Sequence, residues 1–264
     1  MFGTLYVIGT PIGNLGDITL RAIETLEKIE VLFCEDSRVT SRLINELIAK
    51  KLLTKKPRYV PYNEFNEDRI FHQIVEMVSR GEQVGLVSDA GMPAISDPGY
   101  RAISACLAAK LRVEVIPGPS ALTTALPWSG IGGEIALYLG FLPKTSGKAN
   151  KILEASREMI EKLGTGRLVL YVSPHRLVKD LIQIKNVMGG ETHAVLMREL
   201  TKRHEERIEA SVDELIEKYT KAKVKGELVL VVSQQGATRH GGGLVESEEM
   251  QDGRGDVTET TVRE

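Results

Sequence analysis

Two carboxylates and a guanidinium stand together directly after a short apolar run near the start of the chain. The run covers residues 30–34, and Glu35, Asp36 and Arg38 follow it in the string EDSR. In an open parallel sheet the carboxyl ends of the strands form the ligand side, where carboxylates can hold hydroxyl groups or accept protons. The structural alternative is a charged start to the next helix, with Ser37 as its N-cap. We favour a functional site, because three charged groups are more than one cap requires.

A second charged cluster follows an apolar run in the second half of the chain. Residues 193–197 lead into the string RELTKR, which includes Arg198 and Lys202. Such side chains suit contact with phosphate groups or the orientation of a charged ligand. A solvated surface turn explains the same pattern, so both interpretations stay open.

The loop VSDAGMPAISDPGY, residues 87–100, contains the acidic residue Asp89, two glycines and two prolines. It follows an apolar run, and no regular periodicity returns until after Pro98. Long loops with such turn chemistry are usually functional, so we predict a ligand loop at the end of a buried strand. The alternative is a surface loop with one capping aspartate.

These residues are positioned by short apolar runs that alternate with helical patterns from Leu5 to Trp128, which predicts a parallel α/β sheet. The predicted strands of this half cover 5–9, 30–34, 58–61, 83–88 and 113–116, and the predicted helices include 39–50, 68–80 and 100–111. In the second half, strands are predicted at 135–141, 167–172, 193–197, 207–210 and 227–232, with helices at 151–163, from Ser173-Pro174 onward, and at 211–219.

A Gly-rich string, SGIGGE at residues 129–134, marks a candidate domain boundary. We therefore predict an N-terminal α/β domain over 1–130 and a C-terminal α/β domain over 131–235. Residues 236–264 carry seven acidic residues against three arginines and show no periodicity. They are predicted to form a disordered acidic tail.

Composition predicts a soluble globular protein: 264 residues, 42% of them hydrophobic, with a net charge of −2. A chain with this net charge lacks the overall positive charge that is typical of proteins that bind DNA or RNA, so any RNA contact needs a local basic face. Cys34 and Cys106 lie in apolar segments and are predicted to be buried free thiols, which favours a reducing cytoplasm. We find no leader, and no apolar run of the ~18 residues that a membrane span requires.

Several familiar site motifs are missing from the sequence. The glycines of the first turn, Gly9, Gly13 and Gly16, do not have dinucleotide-binding spacing, and no P-loop occurs. No set of His, Cys and Asp has metal-ligand spacing, so we predict no metal. No G-x-S-x-G nucleophile motif is present either.

Eight strings occur in a fixed order along the chain: TPIGNLGDITLRA, EDSR, LVSDAGMPAISDPGY, PGPSA, GFLP, SPHRL, RELTK and KGELVLVV. In this combination they resemble the ribosomal RNA small subunit methyltransferase I family of the tetrapyrrole methylase superfamily. The resemblance runs from about Leu5 to Val232. It implies a cytoplasmic enzyme that uses S-adenosylmethionine to methylate the ribose 2′-oxygen of a cytidine in 16S rRNA of the 30S subunit.

The resemblance also implies a two-domain α/β fold, with a parallel-sheet N-terminal domain, a mixed-sheet C-terminal domain and a homodimeric assembly. The methyl donor is expected in the cleft between the domains. Carried over residue by residue, its contacts are Pro11, Ile12, Asp89, Ala90, Gly91, Met92, Ser120, Ala121, Tyr171, Leu196 and Gly226. On the same hypothesis Glu35 and Asp36 are candidates for the base or a ribose anchor, and Arg38, Arg198 and Lys202 for phosphate contact or charge positioning.

Three departures from the family pattern bear on these roles. Met92 stands where the family often has Thr, and Val172 replaces a Glu. Asn63 and Phe65 occupy a turn that is usually rich in His.

Two other functions stay open. One is a methylase acting on a precorrin-type tetrapyrrole, although such members usually carry a Gly-Pro-Gly-Asp first turn that this chain lacks. The other is a nucleotide-binding module without catalytic activity. Assays on precorrin-type substrates and calorimetry with S-adenosylmethionine would discriminate among the three.

Overall fold

The computed structural model describes residues 3–233, which form two five-stranded sheets with helices packed on them. The predicted acidic tail at 236–264 lies outside the described residues, and the domain bounds at 130 and 235 stay predictions. Within residues 3–233, no helix is both long enough and apolar enough to cross a membrane.

The first sheet is fully parallel, as predicted. Its strands are β1 (Thr4–Ile8), β2 (Val31–Cys34), β3 (Arg58–Pro61), β4 (Gln83–Val87) and β5 (Arg112–Ile116), in the order β3-β2-β4-β1-β5. β1 and β4 are neighbours, and the chain leaves them toward opposite edges of the sheet. This topological switch point is where open α/β sheets bind ligands.

Helices cover both faces of the first sheet, because its strands are apolar on both sides. α1 (Leu20–Lys28) and α2 (Ser37–Ala49) pack on one face, while α3 (Glu67–Ser79) and α4 (Tyr100–Ala108) pack on the other. Cys34 and Cys106 are buried free thiols, one in each of these two cores, which confirms that prediction.

The second sheet is mixed, as the resemblance implied. It contains β6 (Ala136–Phe141), β7 (Arg167–Val172), β8 (His193–Arg198), β9 (Glu206–Ser211) and β10 (Leu228–Ser233), in the order β6-β7-β10-β8-β9. β6 and β7 are parallel, and the other neighbours are antiparallel. One face packs against α6 (Ser146–Leu163), α7 (Leu177–Met188) and α8 (Val212–Lys221).

The opposite face of the second sheet packs against the first half of the chain. Val195 and Met197 of β8 share an apolar core with Ala125 of α5 (Ala121–Ser129) and with Ile12 of the first turn. Side chains alternate along a strand, so the intervening Leu196 points to the helix-covered face. This packing places the carboxyl ends of the first sheet against the second sheet.

Three predicted helix starts are wrong, those of α2, α6 and α7. Asp36, not Ser37, caps α2, because its side chain accepts the N–H of Arg38. α6 begins at Ser146 rather than at residue 151, so the last part of the polar string that precedes 151 is helical.

The helix predicted from Ser173-Pro174 begins later, at Leu177. The intervening turn is held by tertiary contacts that the local sequence does not reveal. The guanidinium of Arg176 donates to the carbonyl oxygens of Leu142 and Pro143 and to the carboxylate of Asp180.

Candidate functional site

The first turn and the loop after β4 are joined at the switch point. The N–H of Thr10 donates to the carbonyl oxygen of Gly91 at 2.8 Å, and the N–H of Gly91 donates back to the oxygen of Thr10 at 3.1 Å. Gly91 adopts φ of 80°, a left-handed conformation that favours glycine. Two loops distant in sequence thus form one wall.

This wall borders a cavity of about 390 Å³ between the two halves of the chain, a size typical of small-ligand pockets. Nine of the eleven donor contacts implied by the resemblance line it: Ile12, Asp89, Ala90, Gly91, Met92, Ser120, Ala121, Tyr171 and Gly226. The structure therefore brings together positions spread over more than two hundred residues of sequence.

The other two implied contacts lie outside the cavity lining. Pro11 is part of the first turn, next to the lining residue Ile12. The Leu196 side chain is buried in the helix-covered core of the second sheet. Leu200, in the turn just after β8, lines the cavity instead.

The carboxylates after β2 have different surroundings. Glu35 lines the cavity, and burial followed by the Asp89 charge raises its pKa. Asp36 instead pairs with Arg38, whose Nε lies 3.0 Å from its Oδ1. This interaction lowers the pKa of Asp36 to about 2, so Asp36 is a weak proton acceptor at neutral pH.

Asp89 connects the loop after β4, on which it lies, to the segment after β2 that carries Glu35 and Asp36. Its Oδ1 accepts the backbone N–H of Asp36 at 2.9 Å, so the loop after β4 fixes the segment after β2. Burial raises the pKa of Asp89, and the hydrogen bond from Asp36 opposes this shift. We infer that Asp89 holds the geometry of this side of the cavity.

The second charged cluster divides between two places. Lys202 Nζ lies 2.8 Å from Glu199 Oε1 and 3.0 Å from Glu227 Oε2, and Glu227 lines the cavity. Lys202 therefore orients a cavity residue without lining the cavity itself. Arg198 pairs with Glu206 on β9 at 2.8 Å and is not among the lining residues.

An aromatic group forms the wall on the side of the second sheet. The ring of Tyr171 contacts Tyr138 and Phe141, with centroids 5.1 and 5.7 Å away. The Tyr171 hydroxyl accepts the N–H of Leu122 at 3.2 Å, which ties β7 to α5. Phe141 is 55% exposed at the cavity.

Sequence reasoning missed several lining residues, above all Asp97 and Glu227. Asp97 belongs to a second SD string in the same loop, SDAG followed by SDPG, and that repetition was an available signal. Glu227 stands in the string KGELVLVV, directly after the implied contact Gly226, and this position was the available signal for it. Among the described residues, no three His, Cys, Asp or Glu side chains are grouped so as to hold a metal ion.

Solved structures of other proteins share this fold. A diphthine synthase aligns with a TM-score of 0.65 at 15% identity, covering 89% of this chain and 91% of its own. A uroporphyrin-III C-methyl transferase from Thermus thermophilus, complexed with S-adenyl homocysteine, aligns with a TM-score of 0.61 at 18% identity, covering 87% and 97%. At these identities the likeness defines the fold class.

Sequence comparison defines the family. The model for Tetrapyrrole (Corrin/Porphyrin) Methylases matches residues 4–216. A Thermotoga maritima protein named ribosomal RNA small subunit methyltransferase I is 38% identical over 231 residues, which is 88% of this chain and 98% of that protein. A Hydrogenobaculum protein of the same name is 40% identical over 234 residues, covering 88% and 96%. The chain belongs to the tetrapyrrole methylase family and, within it, to the ribosomal RNA small subunit methyltransferase I family.

Proposed function

We propose that this protein transfers a methyl group from S-adenosylmethionine to the ribose 2′-oxygen of a cytidine in 16S rRNA of the small ribosomal subunit. The observation that carries the proposal is the near full-length similarity to relatives named for small-subunit rRNA methylation. The cavity supports it, because the residues expected to hold the donor converge there.

The cavity residues fit the chemistry of the donor. S-adenosylmethionine supplies an electrophilic methyl group on a positively charged sulfonium, and it also carries an ammonium group. Glu35, Asp89 and Asp97 give the cavity an acidic side, while Ile12 and Met92 offer apolar surface to an adenine ring. Carboxylates near the sulfonium favour the charged donor over its uncharged thioether product.

The acidic and basic residues divide into distinct roles. Glu35 is the candidate that can reach the ribose, as base or as hydroxyl anchor, because it alone of the Glu35/Asp36 pair lines the cavity. Asp36 and Arg38 hold the segment after β2. Lys202 positions Glu227, which lines the cavity. Arg198, at the end of β8, remains a candidate for charge positioning through its pair with Glu206 of β9.

A basic strip extends from this site along α2 and the segment after it. We define it by seven exposed cations: Arg38, Arg42, Lys50, Lys51, Lys55, Lys56 and Arg58. Glu46 is the single acidic residue within this range. Within residues 3–233, only Arg38 of the seven forms an ion pair. This strip provides the local basic face that RNA binding by a chain of net charge −2 requires.

Direct assay tests the proposed function. The protein, incubated with tritiated S-adenosylmethionine and 30S subunits lacking the modification, is expected to label 16S rRNA at one cytidine. Methylation of the 2′-oxygen blocks alkaline cleavage, so the label should be recovered in an alkali-resistant dinucleotide. Label in a tetrapyrrole incubated in place of 30S subunits would support the alternative function. Absence of donor binding in calorimetry would support the non-catalytic module.

Neutralising part of the basic strip is expected to weaken RNA binding alone. In Lys50→Ala/Lys55→Ala/Lys56→Ala, we expect KM for 30S subunits to rise. The slope of log affinity against log salt concentration should become shallower by about two to three, because each phosphate contact contributes close to one unit to that slope. Affinity for S-adenosylmethionine should not change. Lys151→Ala/Lys162→Ala/Lys223→Ala removes three exposed lysines elsewhere and serves as the control. Equal effects of the two triples would contradict the assignment.

The remaining features of the proposal concern assembly and location. We propose a homodimer in the cytoplasm, as the family resemblance implies, with no DNA or membrane partner. Sedimentation velocity across a concentration series would measure the assembly state.

A further inference from the structure

Asp97 is a half-buried acid that contributes to the acidic side of the cavity. It lies in the loop after β4 and lines the cavity with Glu35, which follows β2. It has no cation as an ion-pair partner within residues 3–233, in contrast to Asp36 with Arg38. Its carboxylate is therefore not neutralised by a cation of the described residues.

The backbone around Asp97 is held in a costly conformation. Ala94 and Ser96 adopt φ of 65° and 64°, in the left-handed region that disfavours residues other than glycine. The Ser96 hydroxyl is 2.6 Å from the Tyr138 hydroxyl of β6, which ties the loop to the second half of the chain. Such strain persists only where surrounding structure enforces it, and it accumulates at functional sites.

Three carboxylates face Asp97. They are Glu35 after β2, Asp89 after β4 and Glu227 before β10. The nearby Ser88 hydroxyl donates to the carbonyl oxygen of Ala90 at 3.3 Å. Burial, followed by the Glu35 charge, raises the pKa of Asp97 to about 7, against the opposing effect of Ser88. An acid in this range can both accept and release a proton at neutral pH.

We propose that Asp97 is the proton acceptor for methyl transfer, a role that rests on the proposed function. The ribose 2′-oxygen forms a bond to the methyl carbon, and the carbon–sulfur bond breaks with its electron pair going to sulfur. The proton of the 2′-hydroxyl passes to the Asp97 carboxylate. The products are the 2′-O-methyl ribose, S-adenosylhomocysteine and protonated Asp97, which then loses its proton to water. Glu35 serves as the ribose anchor and as the neighbouring charge that keeps Asp97 basic.

The pH dependence of turnover tests the assignment. Because the carboxylate is the active form, kcat/KM of the wild-type protein should fall about tenfold per pH unit below a midpoint near 7. D97N should lower kcat by about 10²- to 10⁴-fold. It should also abolish the fall of kcat/KM below pH 7, which we call the acidic limb of the pH profile. E35Q should retain the limb but move it to lower pH, because removing the Glu35 charge lowers the pKa of Asp97. If Glu35 were the base, E35Q would abolish the limb, and the proposal would be overturned.

Stability and binding measurements separate chemistry from structure. The folded state holds the Asp97 proton more tightly than the unfolded state, so Asp97 destabilises the fold increasingly as pH rises from about 4 through 7. D97N should therefore melt higher than the wild type at pH 8 and equally at pH 3, and should still bind S-adenosylmethionine. A lower melting temperature with an unchanged pH profile would make Asp97 structural and overturn the proposal.

Controls separate this inference from the proposed function. D68N, in the first turn of α3, should match the wild-type protein in turnover and pH profile. A wild-type protein that fails to methylate 30S subunits would refute the proposed function itself. A wild-type protein that is active, with D97N equally active, would refute only the role of Asp97.

Discussion

Gly118→Ala is expected to reduce affinity for S-adenosylmethionine by at least about 100-fold and to destabilise the fold by about 3 kcal/mol. Gly118 lies in the turn after β5, between two prolines, where the turn crosses the end of β1. A Cβ at this position would lie 2.8 Å from Gly9 Cα and 2.9 Å from Gly9 C and O. All three atoms are backbone, so no side-chain rotation can relieve the contact.

The turn must therefore move, and it carries two cavity residues with it. Ser120 and Ala121 follow Gly118 after Pro119 and line the cavity. A displacement of these two residues by about 1 Å is enough to reduce the affinity of the site for S-adenosylmethionine about 100-fold. Calorimetric titration with S-adenosylmethionine and urea unfolding would measure the two effects.

Gly132→Ala is the matched control for this substitution. A Cβ at Gly132 meets no atom within 4 Å, so wild-type stability and donor affinity are expected. If Gly118→Ala behaved like Gly132→Ala, the close crossing of the turns after β1 and β5 would not be needed to form the site.

Asp89→Ala is expected to weaken donor binding by about 10- to 100-fold, since hydrogen bonds to charged groups contribute ~1.5–3 kcal/mol. The change removes an acidic group from the cavity and leaves the N–H of Asp36 without its acceptor. The segment that carries Glu35 would then lose its link to the loop after β4, so kcat should fall as well. Isothermal titration and methyl-transfer assays at saturating donor would measure the two losses separately.

Asp89→Asn distinguishes the two roles of this side chain. The amide oxygen can still accept the N–H of Asp36, while the negative charge is lost. We expect Asp89→Asn to weaken donor binding but to preserve kcat at saturating donor better than Asp89→Ala. Glu24→Ala, on the exposed side of α1, controls for loss of an acidic side chain. Wild-type affinity in both Asp89 variants would contradict a donor-binding role.

Much of the fold was predictable because strand and helix periodicities are local properties of the sequence. The alternation of apolar runs and amphipathic helices from Leu5 to Trp128 predicted the parallel sheet, and β3 and β7 have the predicted bounds. Helix starts were less predictable. The late start of α7 depends on Arg176, whose partners at Leu142 and Pro143 are distant in sequence.

The composition of the site was also partly predictable. The ligand loop, the acids after β2 and the family strings all follow from local sequence and resemblance, and nine implied donor contacts share one cavity. The sequence could not predict that Leu196 points away from the cavity while Val195 and Met197 point toward the first half of the chain. This orientation depends on which face of the second sheet meets the first half of the chain.

The sequence by itself determined the fold class, the family and the acids available for chemistry, because these depend on residue type and order. Only the tertiary structure decided which acid can take part. Asp36 is neutralised by Arg38 and made a weak base, whereas Glu35, Asp89, Asp97 and Glu227 meet around one cavity. Burial and mutual repulsion raise the pKa of Asp97 to about 7. The Asp36–Arg38 pair is local, two residues apart in sequence, whereas the burial of Asp97 and its repulsion by Glu35 depend on distances between loops that no local pattern records.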